Sequence, residues 1–212
     1  MGSLTANKPK PLIKVDGKAL LDHALEAASS APDVYVNAHY RADLIKAHLA
    51  ATPAKLLIEH PEILESGGAV KNALAHVHGD RIATLNADAV WSGPNPLDLL
   101  AAEFDPSKMD ALLLIVPHAA AHGREGGGDF VQTPDGRLQF DRSRRSFVYT
   151  GAQILSAAPI RSEPRSIFSL RDTWTDLAAI GRLYGLVYPG HWADVGHPDG
   201  IGIAESMVAE HG

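Results

Sequence analysis

The 212-residue chain contains no cysteine, which excludes disulfides and thiolate-ligated metals and fits a reducing cytosol. It has no apolar run of the ~18 residues needed to span a membrane, and no signal peptide is visible. A soluble cytoplasmic protein with no membrane partner is therefore expected. Basic residues are fewer than acidic ones, 19 against 25, for a net charge of −6. That balance disfavours a general nucleic-acid binder. Aromatic residues make up 6% of the chain, and Trp91, Trp174 and Trp192 are most simply core or rim residues. No His-Glu-x-x-His, Gly-x-Ser-x-Gly or P-loop Gly-Lys-Ser/Thr ending occurs, so zinc-protease, serine-hydrolase and P-loop chemistries lack their motifs. The 11 histidines include no pair with good metal-ligand placement: His76 and His78 diverge on a helix, and Pro117 and Gly123 oppose a helix through His118 and His122. Repeats, low-complexity tracts and linkers are also absent.

What is present is 45% hydrophobic residues, enough for one domain with a full core over residues 1–212. Apolar spacing predicts helices over 19–30, 41–51, 68–77, 95–104, 169–181 and, weakly, 198–210. Asn95 and Pro96 suit the cap and first position of one helix, and Ser169 suits the cap of another. Strands are predicted over 34–37, 55–59, 81–86, 111–116, 147–155, 183–188 and 192–195. Ala111 to Val116 is the most apolar run and is expected at the sheet centre. The alternation of short strands and helices up to this point argues for a parallel, helix-covered α/β sheet. Pro134-Asp135-Gly136 then signals a hairpin between 129–132 and 137–141.

Asp88 and Asp194 each follow an apolar strand, where ligands bind in parallel α/β sheets. Two carboxylates from distant parts of the chain could share one Mg²⁺, which favours few carboxylates plus phosphate oxygens. More simply, as strand-end aspartates are common, Asp88 could start a turn and Asp194 could be a surface strand residue. Glu65-Ser66-Gly67-Gly68 lies between a strand and a helix. Its glycines and the helix N-terminus would allow close approach to a ligand, or Ser66 would simply cap an ordinary loop. Lys10, between Pro9 and Pro11, is either a cation aimed at a phosphate by stiff backbone or an exposed lysine of a proline-rich arm. Gly123 to Phe130 is a glycine-rich loop in which Arg124 could meet a phosphate, or a solvated connection before the hairpin. Arg142-Ser143-Arg144-Arg145 reads as a solvated basic edge.

Seven segments in order resemble the sugar-1-phosphate nucleotidyltransferases: LTANKPKPLIKVDGKALLDHAL, VYVNAHY, ESGGAVKNAL, LNADAVW, GGGDF, FVYTGAQIL and HWADVGHP. The N-acetylmuramate-1-phosphate uridylyltransferase branch, which acts in peptidoglycan recycling, is the most similar. Lys-Pro-Lys-Pro-Leu followed by Trp-x-Asp-Val-Gly at this distance is the more specific pairing. The resemblance implies a three-layer α/β/α, Rossmann-like (glycosyltransferase-A-like) fold with a mixed sheet. It implies transfer of UMP from UTP to a sugar 1-phosphate with release of pyrophosphate. By the same resemblance Asp88 and Asp194 are the Mg²⁺ ligands and Lys10 stabilises phosphate charge. Glu65, Gly67 and Gly68 would lie against the nucleobase, and Asn37, Asp129 and Gly151 would line the sugar side.

The chain departs from that pattern before Leu4. The family's first strand and its Gly-x-Gly-x-Arg-Met loop, which wraps the triphosphate, are not among these residues. The expectation is a sheet short of its first strand. It motivates a second reading, an inactive homologue that binds nucleotide sugars or regulates. His197 also stands where the family often has threonine.

Overall fold

The computed structural model describes residues 2–143 and 146–211. Arg144 and Arg145 of the basic cluster lie outside the described residues. In chain order the strands are β1 (Lys14–Val15), β2 (Lys18–Ala19), β3 (Tyr35–Ala38), β4 (Lys55–Ile58), β5 (Arg81–Leu85), β6 (Ala89–Ser92) and β7 (Ala111–Pro117). They continue as β8 (Ala121–His122), β9 (Phe130–Gln132), β10 (Leu138–Phe140), β11 (Phe147–Ser156), β12 (Leu183–Val187) and β13 (His191–Asp194). The helices are α1 (Leu20–Ala27), α2 (Ala42–Leu49), α3 (Glu65–Leu74), α4 (Pro96–Glu103), α5 (Ala157–Ser162), α6 (Leu170–Ala179) and α7 (Asp199–His211).

A six-stranded sheet forms the centre, in the order β10-β9-β11-β7-β12, with β5 added along β11. β7 runs parallel to β12 and antiparallel to β11, and β11 is antiparallel to β5. The expectation of a parallel sheet is thus corrected: the two apolar runs β5 and β7 do not pair with each other but flank the long strand β11. The sheet is mixed, as the family resemblance implied.

Alternate residues of β7 explain why its whole run is apolar. Leu112, Leu114 and Val116 pack with Val148, Ile154, Leu97 and Leu100 on one face. Ala111, Leu113 and Ile115 pack with Leu155, Val70, Ile160 and Leu177 on the other. α4 therefore covers one face and α3, α5 and α6 the other, the three-layer arrangement that buries a strand on both sides. Asn95 caps α4 as expected: its side chain accepts from Leu97 N at 2.9 Å and Asp98 N at 3.2 Å. Ser169 caps α6 by accepting from Arg171 N at 3.2 Å.

Two smaller ladders flank this centre. β13 joins β6 antiparallel and β8 in parallel, and α7 covers them through Ala204 and Met207, which pack on Val90, Ala193 and Val195. β3 and β4 form a separate parallel pair covered by Ile45 and Leu49 of α2. Among the described residues no ladder connects β3 with β5, although Val36, Ala38 and Ala87 share one apolar cluster. Among the described residues β3–β4 and the central sheet are therefore separate ladders.

Candidate active site

The antiparallel β6–β13 ladder sets Asp194 opposite Ala89, next to Asp88. Val195 N also donates to Asp88 O at 2.8 Å. Residues 106 positions apart are thus brought together by one ladder, which no local pattern in the chain encodes. Lys10 reaches the same place from a short 3-10 turn, Lys10–Leu12, and its ammonium lies 2.7 Å from Asp88 Oδ2. Pro9 is extended, and Leu12 N and Ile13 N close back on Pro9 O and Lys10 O at 3.0 Å each. The prolines thus hold the lysine on a fixed turn.

Glycines make room for the backbone around Asp194. Gly123 has φ +72°, and a side chain there would strike the Asp194 carbonyl; one at Gly200 would do the same. Gly196 donates its backbone N–H to the Asp194 carboxylate. Partial burial, then the charge of Asp88, pushes the Asp194 carboxyl above its usual range. The Gly196 amide, Lys10 and Arg124 act in the opposite direction.

Arg124 lies across the acidic group. It donates to Asp129 at 3.0 Å and lies 4.0 Å from Asp194 Oδ2. Its Nε is buried with no hydrogen-bond partner among the described residues. Asp129 also accepts from Tyr149 N at 3.0 Å. The loop before the hairpin is tied down rather than free-standing: His197 bonds Gly123 O at 2.7 Å and His118 bonds Gly126 O at 2.8 Å. From the sequence Arg124 reads at least as readily as part of a solvated connection; tertiary contact brings it beside Asp129 and Asp194.

A cavity of about 180 Å³ opens beside these groups, lined by Asp88, Asp129, Gly151 and Asp194 with Arg171 and Trp174 on a further wall. Gly151 is needed for its backbone: φ is +90°, and a Cβ would lie 2.7 Å from that of Asn86. It falls where the β11–β7 register shifts. Behind the cavity, Trp174 donates to Gln153 at 2.9 Å and Gln153 to Thr84 at 3.1 Å. Burial pushes the Tyr149 phenol upward.

Lys10, Asp88, Asp129, Gly151 and Asp194 are therefore brought together. Asn37 is not among the residues lining this cavity; it donates to buried Glu59 at 2.9 Å. Glu65, Gly67 and Gly68 also lie outside its lining. The helix begins at Glu65, three residues earlier than the periodicity predicts, so these glycines sit in its first turn instead of a loop. Side chains at Gly67 or Gly68 would strike Phe168 or the Ser166 carbonyl. Their amides donate to Phe168 O at 2.9 and 3.2 Å. Ser66 does not cap α3; its hydroxyl accepts from Leu170 N at 2.9 Å and joins α3 to α6.

The donor set suits a hard divalent cation. Two carboxylates and no histidine or thiolate match Mg²⁺, which completes its shell with water and phosphate oxygens. Burial first and the charge of Asp88 second disfavour an ionised Asp194, and a cation between the two carboxylates would relieve both. Among the described residues no group of three or more His, Asp or Glu side chains is placed to hold a metal, so any such ion would depend on other ligands.

Among the described residues no helix is long and apolar enough to cross a membrane. An N-acetylmuramate alpha-1-phosphate uridylyltransferase from Caulobacter vibrioides is 36% identical over 99% of this chain and 92% of its own length. In fold, HddC from Yersinia pseudotuberculosis complexed with GMP-PN aligns with a TM-score of 0.74 at 20% identity, over 97% of this chain and 92% of its own. A UDP-glucose pyrophosphorylase complexed with UDP-glucose aligns with a TM-score of 0.73 at 13% identity, over 99% and 94%. The MobA-like NTP transferase domain matches residues 1–147, and with the Caulobacter relative this shows that the chain belongs to the MobA-like NTP transferase family.

Proposed function

We propose that the protein transfers UMP from UTP to N-acetylmuramate 1-phosphate and releases pyrophosphate. The observation that carries this reading is the pairing of Lys10 with Asp88, which the β6–β13 ladder sets beside Asp194 in the lining of the cavity. The relative of 36% identity over 99% of the chain supports the choice of base and sugar. A cytoplasmic place in peptidoglycan recycling follows from that substrate, and the 212 residues are read as one nucleotidyltransferase unit.

In the reaction an oxygen of the sugar phosphate attacks the α-phosphorus of UTP, and the α–β phosphoanhydride bond breaks. The attacking oxygen is already anionic, so no general base is required. The difficulty is electrostatic: two polyanions must approach while charge builds on the leaving pyrophosphate. Asp88 and Asp194 would hold Mg²⁺, which when bound offsets that charge. Lys10, 2.7 Å from Asp88, would exchange its carboxylate partner for a phosphate oxygen. Arg124 fixes Asp129 and steadies Asp194 from the other side. The family resemblance further assigns Glu65, Gly67 and Gly68 to the nucleobase, and Asn37, Asp129 and Gly151 to the sugar. Since the Gly67 and Gly68 amides already serve Phe168, a base contact there would use other atoms of that turn.

A coupled pyrophosphate-release assay with UTP, Mg²⁺ and a panel of sugar 1-phosphates tests the reading. Turnover fastest with N-acetylmuramate 1-phosphate is expected. Absence of release with every sugar, together with UDP-sugar binding in calorimetry, would replace it with the binding or regulatory role.

A further inference from the structure

Each carboxylate around the cavity has a cation at hand: Asp88 has Lys10, while Asp129 and Asp194 share Arg124. Arg171 lines the same cavity, yet among the described residues no carboxylate pairs with its guanidinium. The guanidinium instead lies 4.5 Å over the Phe140 ring. Stacking orients a guanidinium while leaving its edge N–H groups free for a planar, bidentate acceptor. Phe140 is itself backed by Phe130, with ring centroids 4.9 Å apart.

The placement runs against local electrostatics. Arg171 is the second residue of α6, where the helix dipole is positive and disfavours a cation. The acidic residue of that turn, Asp172, is turned to Arg165 at 2.9 Å instead. The backbone before Arg171 is tied by Leu170 N donating to Ser66 Oγ at 2.9 Å, and one turn on the Trp174 side chain donates to Gln153 at 2.9 Å. Arg171 is exposed to solvent, so the edge of its guanidinium is open to an anion from outside the protein.

We infer that Arg171 is a specificity-determining residue that binds a carboxylate on the acceptor sugar, so that the site selects sugar 1-phosphates bearing a second anionic group. This rests on the nucleotidyltransferase reading above and deepens it. Arg171 and Phe140 belong to α6 and the β9–β10 hairpin, elements other than those carrying Lys10, Asp88 and Asp194, the group proposed to meet the phosphates. A neutral hexose 1-phosphate offers nothing to this arginine, whereas N-acetylmuramate carries a lactyl carboxylate.

The test compares N-acetylmuramate 1-phosphate with N-acetylglucosamine 1-phosphate, which lacks only the lactyl group. KM is measured for the first and the inhibition constant or KM for the second, in the wild type, Arg171→Gln and Arg171→Lys. Thermal-shift titration with the same two compounds gives affinity without turnover. Arg171→Gln is expected to raise the muramate KM about 10–100-fold, the loss typical of a charge-assisted hydrogen bond, with kcat changed far less. The preference for the carboxylate-bearing sugar collapses, and Arg171→Lys restores part of it. Equal weakening of both compounds would identify a phosphate contact and overturn the inference. An unchanged muramate affinity, or a wild type that binds both compounds alike, would also overturn it. Failure of the wild type to turn over any sugar phosphate refutes the nucleotidyltransferase reading instead, and the binding comparison still decides the role of Arg171.

Discussion

In β7 six consecutive residues from Ala111 to Val116 are buried, and in β11 seven of ten are. In β3, β4 and β5 no residue is fully buried, and Ile58 and Ala83 are exposed. Both regions belong to one α/β architecture, but the first has strands on each side and helices on both faces. The second carries strand edges that, among the described residues, pair with nothing. The groups that need exact placement are attached to the well-buried side: Asp194 ends β13, Asp129 precedes β9 and accepts from Tyr149 of β11, and Gly151 lies within β11. Asp88, just after β5, is the exception, and it is held by the first residues of β6 and by Val195. Catalytic geometry needs rigid support, whereas an edge with few buried contacts opens locally at lower cost.

The largest expected effect concerns activity at the carboxylate pair. Asp88→Asn or Asp194→Asn should slow pyrophosphate release by about 10³-fold or more, as expected when charge stabilisation is removed from a transition state. Circular dichroism should remain native; near-normal turnover would remove both residues from the site. Next in size is Leu114→Ala in β7, expected to cost about 2–5 kcal/mol because a fully buried side chain leaves a cavity between packed layers. Val36→Ala, on the half-buried side, should cost about 1 kcal/mol or less for want of a closed cavity. Urea midpoints measure both, and equal costs would erase the contrast between the regions. Gly123→Ala falls between them at about 1–3 kcal/mol, because its positive φ and the Asp194 carbonyl both oppose a side chain.

The smallest effect has the opposite sign. The Asp194 carboxyl is raised in the fold by burial and by Asp88. A raised carboxyl contributes stability below its unfolded value of about 3.9 and loses it as pH rises through the folded value. In the metal-free protein the ionised group is therefore a cost at neutral pH. Asp194→Asn should raise the metal-free melting temperature by a few degrees, at about 2–8 °C per kcal/mol, and flatten its decline across the mildly acidic range. A lower melting temperature would contradict the account from burial and the charge of Asp88.

Much of the architecture is legible in the chain because its signals are local. The run Ala111 to Val116, Asn95-Pro96 before a helix, and Pro134-Asp135-Gly136 before a return strand each act within a few residues. Boundaries fail where tertiary contact overrides propensity. Helix α3 begins at Glu65, ahead of two glycines, because Phe168 packs where their side chains would be. Helix α5, with proline inside Ala157–Ser162, gives no periodic signal and goes unpredicted. The two-residue strands β1, β2 and β8 are likewise too short to show a period.

The sequence by itself determines that strands and helices alternate, that one strand is buried on both faces, and that Lys10, Asp88 and Asp194 stand in segments like those of nucleotidyltransferases. Tertiary structure alone decides that β11 runs between β5 and β7, making the sheet mixed, and that the β6–β13 ladder joins Asp88 to Asp194. It alone draws Arg124 in and sets Arg171 over the Phe140 ring with no carboxylate partner among the described residues. The physical reason is range. Propensity, capping and turn chemistry act over a few neighbours, while charge and close packing act between residues that the chain separates by a hundred positions.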